Sequence, residues 1–127
     1  MEQSAHRDIA MALTDCLTRG DVDGVAALYS DDATVWRNFD GRELTREQML
    51  KVIGFLATAV NRLQYDVRAV HPTETGFVQE HTMTCESKNG KQVRVDACLV
   101  AYINDGKITR LNEYLDSLAL QPLMEKP

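Results

Sequence analysis

The sequence lacks the features by which a chain crosses a membrane or binds a nucleic acid. Its longest apolar runs, residues 55–60 and 97–102, are far too short to span a bilayer. The N-terminus has no basic stretch followed by an apolar one, so we expect no secretory signal. The formal net charge of −5 argues against a nucleic-acid-binding protein, which usually carries a basic surface.

Cysteine, histidine and glycine are few, and their positions do not form the common metal or phosphate motifs. The cysteines are odd in number and have no C-x-x-C spacing: Cys16, Cys85 and Cys98. Such a set is typical of reduced thiols in the cytoplasm and not of a zinc site. The histidines fall on different predicted elements and the glycines are scattered, so we expect neither a metal nor another cofactor.

What remains is the composition of a globular domain. Of the 127 residues, 44% are hydrophobic and 26% are charged, a balance that argues against disorder. The length matches one domain, and we take residues 1–127 as that domain. A chain of this size buries enough surface for a core and one internal cavity.

Three helices are predicted in the first half of the chain. Apolar residues recur every three or four positions over residues 4–19, and Gly20 follows as a natural helix end. Asp21 then caps a short second helix. Thr45 and Gln48 form a capping box that begins the third and longest helix.

The second half alternates with the period of two that is typical of β-strands. We predict strands over residues 33–39, 64–71, 76–86, 92–104 and 107–116. Asn89-Gly90 between two of them is a strong hairpin signal. Helices followed by mostly antiparallel strands indicate an α+β fold, in which three helices cover a curved sheet of four or five strands and enclose a conical pocket. The last ten residues, with Pro122 and Pro127, are expected to pack loosely.

One histidine lies on the more apolar face of the strand over residues 76–86. That face carries His81 between Gln79 and Met83, whereas the opposite face carries two glutamates and two threonines. The apolar face is expected to point into the pocket. There His81 is either a core histidine with satisfied ring nitrogens or an acid–base group, since the pKa of histidine lies near neutrality.

Two segments resemble the NTF2-like, or SnoaL-like, superfamily. Residues 17–36 (LTRGDVDGVAALYSDDATVW) are similar to its helix–helix–strand opening, and residues 104–116 (NDGKITRLNEYLD) are similar to its last hairpin. The resemblance implies a cone with a pocket inside and a dimer through the outer sheet face. The strands over residues 76–86 and 92–104 carry apolar residues on both faces, so we expect a homodimer through the outer faces of these two strands. The fold hosts isomerases, cyclases, dehydratases, epoxide hydrolases and non-catalytic modules, so it does not by itself select an activity.

Within this superfamily the chain resembles limonene epoxide hydrolase in part of its site. The resemblance matches Asn38 and Asp116 to the water-activating pair and turns Trp36 inward beside Asn38. His81 stands where that enzyme has an arginine and Met83 where it has an acid, so the catalytic relay is incomplete. Each of the two residues also has an alternative role: Asn38 as the residue that caps the turn after it, and Asp116 as a turn residue or the N-cap of a following helix. On hydropathy alone the opposite face of the first strand is an equal candidate for the interior: Val35, Arg37 and Phe39.

The combined prediction is a cofactor-independent enzyme that acts on a small hydrophobic molecule by acid–base chemistry, as a cyclase, an isomerase or a hydrolase. Asp116 is expected to be the base, with His81 as its partner or as the acid and Asn38 holding a water or a substrate oxygen. Four further residues are expected to contact the substrate: Trp36, Phe55, Met83 and Cys98. The alternative is a non-catalytic ligand-binding or dimerisation module, in which Asp116 and His81 form a buried structural pair.

Overall fold

Helices cover one face of a sheet in the computed structural model, which describes residues 2–124. In chain order the elements are α1 (Glu2–Arg19), α2 (Val22–Leu28), β1 (Tyr29–Arg37), β2 (Glu43–Thr45), α3 (Arg46–Ala59), β3 (Val60–Pro72), β4 (Gly76–Ser87), β5 (Gln92–Asn104), β6 (Lys107–Leu115), a 3₁₀ turn (Ser117–Leu120) and α4 (Gln121–Met124). This order confirms the predicted α+β class. The sequence pattern does not predict β2 or α4, because three or four residues are too few to show a period.

The helices begin and end where local side-chain chemistry predicts. Gly20 follows α1 with a φ of 67°, a left-handed conformation that glycine adopts without a Cβ clash. The side chain of Asp21 accepts a hydrogen bond from the backbone of Gly24 at 2.9 Å and caps α2. Thr45 and Gln48 exchange side-chain and backbone hydrogen bonds of 3.2 and 2.9 Å, so the predicted capping box begins α3.

The sheet is open, and its six strands lie in the order β2-β1-β6-β5-β4-β3. The strands β1 and β6 run parallel, and every other neighbouring pair is antiparallel. The predicted count of four or five strands is therefore corrected to six, because β2 adds a short edge strand beside β1. The parallel pair brings the end of β1 beside the end of β6, which places residues from both ends of the chain on one wall.

Two apolar clusters lie on the helix-covered face of the sheet. The first joins α1 and α2 to the strands and includes Leu13, Val25, Phe77, Ile108 and Leu111. The second lies around the β4–β5 pair: Val60, Met83, Cys85, Val93 and Val95. Residues of both clusters line the cavity described below.

The C-terminal segment contributes to the second cluster. Leu120 and Leu123 pack against it and also line the cavity. The expectation of a loosely packed tail is therefore wrong for these two side chains, which cover apolar surface that would otherwise meet water. Pro127 belongs to the same expectation and lies outside the described residues. Within residues 2–124, none of the helices combines the length and the apolarity that crossing a bilayer requires.

Candidate functional site

A cavity of about 660 Å³ lies between the helices and the sheet. This volume falls in the range of sites for small molecules. Most of its lining is apolar and includes Leu17, Val35, Met49, Ile53, Leu56, Leu63, Met83, Val95, Leu99, Leu111 and Leu115. Its polar lining consists of Tyr29, Arg37, Asp40, Arg42, Tyr65, His81 and Glu113.

Three of the sequence-predicted site residues line this cavity. His81 and Met83 face it from β4, and Phe55 borders it from α3. Phe55 is 71% exposed, whereas His81 is 3% exposed. The cavity therefore opens to solvent beside α3, and His81 lies in its interior.

The inward face of β1 is the opposite of the one that the resemblance favours. Val35 and Arg37 line the cavity, whereas Trp36 lies on the outer face and packs on Tyr114 with ring centroids 5.3 Å apart. Ala33 and Val35 are buried against the helices, and the alternation of a strand then turns Trp36 outward. The predicted inward orientation of Trp36 is wrong.

Asn38 also lies outside the cavity. Its amide donates a hydrogen bond to the carbonyl of Leu115 at 3.2 Å and accepts one from the Leu115 backbone at 3.0 Å. These bonds fasten the end of β1 to the end of β6. The predicted inward orientation of Asn38 is wrong, and its contacts are those of a backbone clamp.

Asp116 and Cys98 are the two remaining residues that the structure places elsewhere. Asp116 is exposed at the start of the 3₁₀ turn, where its side chain makes no capping hydrogen bond. Cys98 faces outward from β5, opposite Tyr114 in register. Their predicted contact with the interior is wrong. Leu115 faces the cavity, and the next residue, Asp116, points away from it; Ala97 and Leu99 face the cavity from β5, and the alternation of the strand turns Cys98 outward.

Glu113 is the carboxylic acid that β6 turns into the cavity. It lies between Arg37 of β1 and Leu99 of β5 in the register of the sheet. Burial raises the pKa of Glu113, and the positive charge of Arg37 opposes that rise in part. No described residue donates a hydrogen bond to its carboxyl group. The signal in the sequence is the position of Glu113 midway between Leu111 and Leu115, two apolar residues of one strand face.

Arg37 stands beside Glu113 and makes its ion pair with a different carboxylate. Its guanidinium hydrogen-bonds Asp40 and lies over the ring of Phe39, 4.3 Å from the centroid. Burial disfavours the charge of Asp40, but hydrogen bonds from Arg37 and from the backbone of Arg42 outweigh it and lower the pKa of Asp40. The Nε of Arg37 is buried and has no hydrogen-bond partner in the described part of the chain.

His81 lines the cavity from β4 as an uncharged ring. Burial, and then the positive charge of Arg68, lower the pKa of His81 to about 4. Gln79 Nε2 lies 3.1 Å from His81 Nδ1, and the ring of Tyr65 meets the imidazole edge-on at a centroid distance of 5.3 Å. At neutral pH the imidazole is therefore neutral.

Two tyrosines complete the polar lining. Burial raises the pKa of Tyr29 and of Tyr65, and the nearby charge of Glu113 adds to the rise in both. Their phenols therefore stay protonated and remain hydrogen-bond donors. Across residues 2–124, no three histidine, cysteine, aspartate or glutamate side chains gather as metal ligands would.

The comparisons with known proteins agree with this architecture. The family of the SnoaL-like domain matches residues 10–111. No curated protein matches the sequence. Solved structures give the fold alone at the identities below.

A protein of Catenulispora acidiphila with a ketosteroid isomerase-like fold, solved with trimethylamine, is 17% identical with a TM-score of 0.80, over 94% of this chain and 97% of that one. A protein of Shewanella denitrificans that is assigned as a SnoaL-like polyketide cyclase is 10% identical with a TM-score of 0.81, over 94% of this chain and 96% of that one. An LEH-like epoxide hydrolase of M. tuberculosis is 17% identical with a TM-score of 0.78, over 94% and 89%.

Proposed function

This chain belongs to the family of SnoaL-like domains, and we propose that it catalyses proton transfer on a small hydrophobic ketone, with Glu113 as the base. The observation that carries the proposal is a carboxyl group in an apolar cavity that no described residue satisfies by a hydrogen bond. Burial without such a partner costs free energy, so a purely structural glutamate would be replaced there by an apolar residue at a gain in stability. This argument favours an enzyme over a ligand-binding module.

The proposed step moves one proton. The Glu113 carboxylate takes a proton from a carbon next to the carbonyl group, and the electrons of that C–H bond move to the carbonyl oxygen and form an enolate. The same carboxyl group then returns the proton to a different carbon of a conjugated enolate, which isomerises the substrate. In a cyclisation the enolate carbon instead attacks a second carbonyl carbon, and the alkoxide that forms takes the proton from Glu113. The raised pKa makes the ionised Glu113 a stronger base than an exposed glutamate.

The surroundings of Glu113 support the developing negative charge. Tyr29 and Tyr65 supply un-ionised hydroxyl donors near the carboxyl group, and Arg37 supplies a fixed positive charge. Donors fixed in an apolar site stabilise an oxyanion more strongly than water does, because they need no reorganisation. The apolar remainder of the cavity suits the hydrocarbon part of the substrate.

The test is deuterium exchange into 2-tetralone in D₂O, followed by ¹H NMR. We expect the wild type to accelerate exchange of the α-protons and Glu113→Gln to lower the rate by about 100-fold or more. The matched control is Glu80→Gln, which changes an exposed glutamate on the outer face of β4 and is expected to retain the wild-type rate. Exchange that survives in Glu113→Gln would refute the role of Glu113 as the base.

The pH dependence of exchange gives a second readout. The rate should rise with pH as Glu113 loses its proton, with the midpoint above 4.5, the ordinary value for glutamate. A midpoint at or below that value would mean that a different carboxylate is the base, since burial raises only the pKa of a desolvated group.

We also propose that the chain forms a homodimer through the outer face of the sheet. Tyr102 and Tyr114 are 41% and 44% exposed there, next to Trp36 and Cys98. Exposed aromatic rings on a sheet face are typical of protein–protein contacts. Light scattering at micromolar concentration tests the proposal: a dimer mass is expected, and a monomer mass alone would refute it.

The three free cysteines support the predicted cytoplasmic location.

A further inference from the structure

A row of three polar side chains leads from α1 to the cavity. Gln79 Nε2 lies 3.1 Å from the hydroxyl of Thr14 and 3.1 Å from His81 Nδ1. Gln79 is 2% exposed and His81 is 3% exposed, so water does not compete for the contact between them, whereas Thr14 is half-buried. Buried polar groups in contact are costly unless each has a defined donor or acceptor, so the row fixes the orientation of Gln79 and of His81.

The direction of these hydrogen bonds determines where the imidazole carries its proton. An amide nitrogen only donates, so His81 Nδ1 accepts from Gln79 and carries no hydrogen. The Thr14 hydroxyl also lies 3.4 Å from Gln79 Oε1, and this second contact holds the amide in place. A neutral imidazole whose Nδ1 is unprotonated has its hydrogen on Nε2.

The Nε2 of His81 has no acceptor among the residues that the structure describes. The imidazole lines the cavity, and the neighbouring Tyr65 meets it ring to ring. The Nε2 atom is not among the fully buried unpartnered atoms, so it faces the space of the cavity, where a ligand oxygen can accept its hydrogen bond.

We propose that Thr14 and Gln79 hold His81 as a neutral imidazole with its hydrogen on Nε2, and that this N–H donates a hydrogen bond to the carbonyl oxygen of the substrate. The inference rests on the proposed function and narrows it: the substrate presents an acceptor oxygen to the β4 wall while Glu113 takes the proton. His81 donates a hydrogen bond and transfers no proton, so the proton balance of the step is unchanged.

The position of the two groups suits this division of roles. His81 and Glu113 lie on β4 and β6, on either side of β5. In register, Glu113 pairs with Leu99 and Leu99 pairs with Gln79, so His81 lies two residues further along the sheet than Glu113. Two strand spacings of about 10 Å and two residues of about 7 Å separate the two backbones by about 12 Å. Both side chains extend into the cavity, so the gap that the substrate bridges over β5 is shorter than this.

The charges around His81 favour the neutral form. The charge of Arg68 on β3 acts on the His81 ring, and its guanidinium lies 3.5 Å from the His81 carbonyl and 3.6 Å from the carboxylate of Asp96 on β5. Tyr65 of β3 is uncharged. Burial, and then the charge of Arg68, disfavour the imidazolium, so the ring does not gain a second proton near pH 7.

The first measurement is the ¹⁵N chemical shift of both His81 ring nitrogens at pH 7, in the full-length protein. We expect a pyrrole-type shift for Nε2 and a pyridine-type shift for Nδ1, and a downfield move of the Nε2–H proton when 2-tetralone is added. A pyrrole-type Nδ1 or an imidazolium would overturn the proposal, because the amide of Gln79 would then present its oxygen.

The second measurement changes the donor behind the ring. Gln79→Glu replaces the amide nitrogen by an acceptor of the same shape, so the hydrogen should move to Nδ1 and 2-tetralone exchange should fall about tenfold or more. Gln79→Met, which introduces no charge, should give a mixture of tautomers and an intermediate rate. Gln64→Glu, at an exposed site on β3, controls for the added charge and should change neither readout.

The outcomes separate this inference from the proposed function. A tautomer switch without a loss of exchange, or a loss of exchange without a switch, would overturn the role of His81 as a donor. Exchange that persists in Glu113→Gln would overturn the base and leave the ¹⁵N shifts of His81 as expected here. The two conclusions therefore fail on different measurements.

Discussion

Replacing His81 should change how the stability of the fold depends on pH. The pKa of His81 falls from 6.5 to about 4 on folding, because burial and the charge of Arg68 disfavour the imidazolium. The unfolded chain then binds a proton at this residue from about pH 6.5 downward, whereas the folded chain binds it only near pH 4. Wild-type stability is therefore full above pH 6.5 and declines as the pH falls to 4, by about 3 kcal/mol from this residue alone.

The variant His81→Gln has no group that titrates at this position. We expect its free energy of unfolding to lack that decline, so its difference from the wild type should change by about 3 kcal/mol between pH 7 and pH 4. Urea unfolding followed by circular dichroism at four pH values measures it. The carboxylates titrate in both proteins, so their contribution to the pH dependence cancels in the difference between the two free energies of unfolding. The cost of the substitution at pH 7 shifts that difference by a constant and does not affect the comparison.

His71→Gln provides the matched control, since the side chain of His71 is 59% exposed on the outer face beside Glu80. This variant should keep the wild-type decline. Parallel stability curves for the wild type and His81→Gln, within about 0.5 kcal/mol, would refute the reasoning, because they would show that the folded protein accepts the imidazolium as readily as the unfolded chain does.

The remaining predictions concern backbone contacts and the cavity wall. Gly76→Ala should lower the free energy of unfolding by about 2 kcal/mol or more, because a Cβ there would lie 1.8 Å from the carbonyl oxygen of Ala101. Gly54→Ala within α3 should raise the free energy of unfolding by about 0.5–1 kcal/mol. Thermal melts of the two variants and the wild type measure both effects. Asn38→Ala should cost about 1–2 kcal/mol through the lost clamp, measured by urea unfolding. Arg37→Met should move the acid limb of the pH–rate profile for 2-tetralone exchange to higher pH, since the charge of Arg37 opposes the rise in the pKa of Glu113. An unchanged acid limb would show that the charge of Arg37 does not act on the base.

Much of the fold follows from local signals. The caps at Asp21 and Thr45, the Asn89-Gly90 turn and the alternation in β4 and β5 each depend on neighbours in sequence, and the structure confirms them. The inward face of β4, with His81 on it, follows from the same alternation. The inward face of β4 is predictable because the opposite face of that strand is more polar.

The inward face of β1 is not predictable in this way. Both faces of that strand carry one or two large apolar residues, so hydropathy does not distinguish Trp36 from Val35 and Arg37. The choice is made by β6, a strand from the other end of the chain, and by the helices that cover Ala33 and Val35. The inward position of Glu113 is not predictable for the same reason. A glutamate between two leucines of one strand face is interior only where helices cover that face.

The parallel pairing of β1 with β6 also sets when the cavity can exist. Asn38 and Leu115 are 77 positions apart in the chain, and their contact closes a loop that contains β2 to β5. Pairing over such a distance is slow, because the entropy of loop closure opposes it before any contact is gained. While β6 is still in the ribosome, the strands already made have no Glu113 beside Arg37, and their apolar inner face lies open to other chains. The strand β6 and the leucines that follow it therefore deliver the reacting group and its cover together, after the other strands have been made.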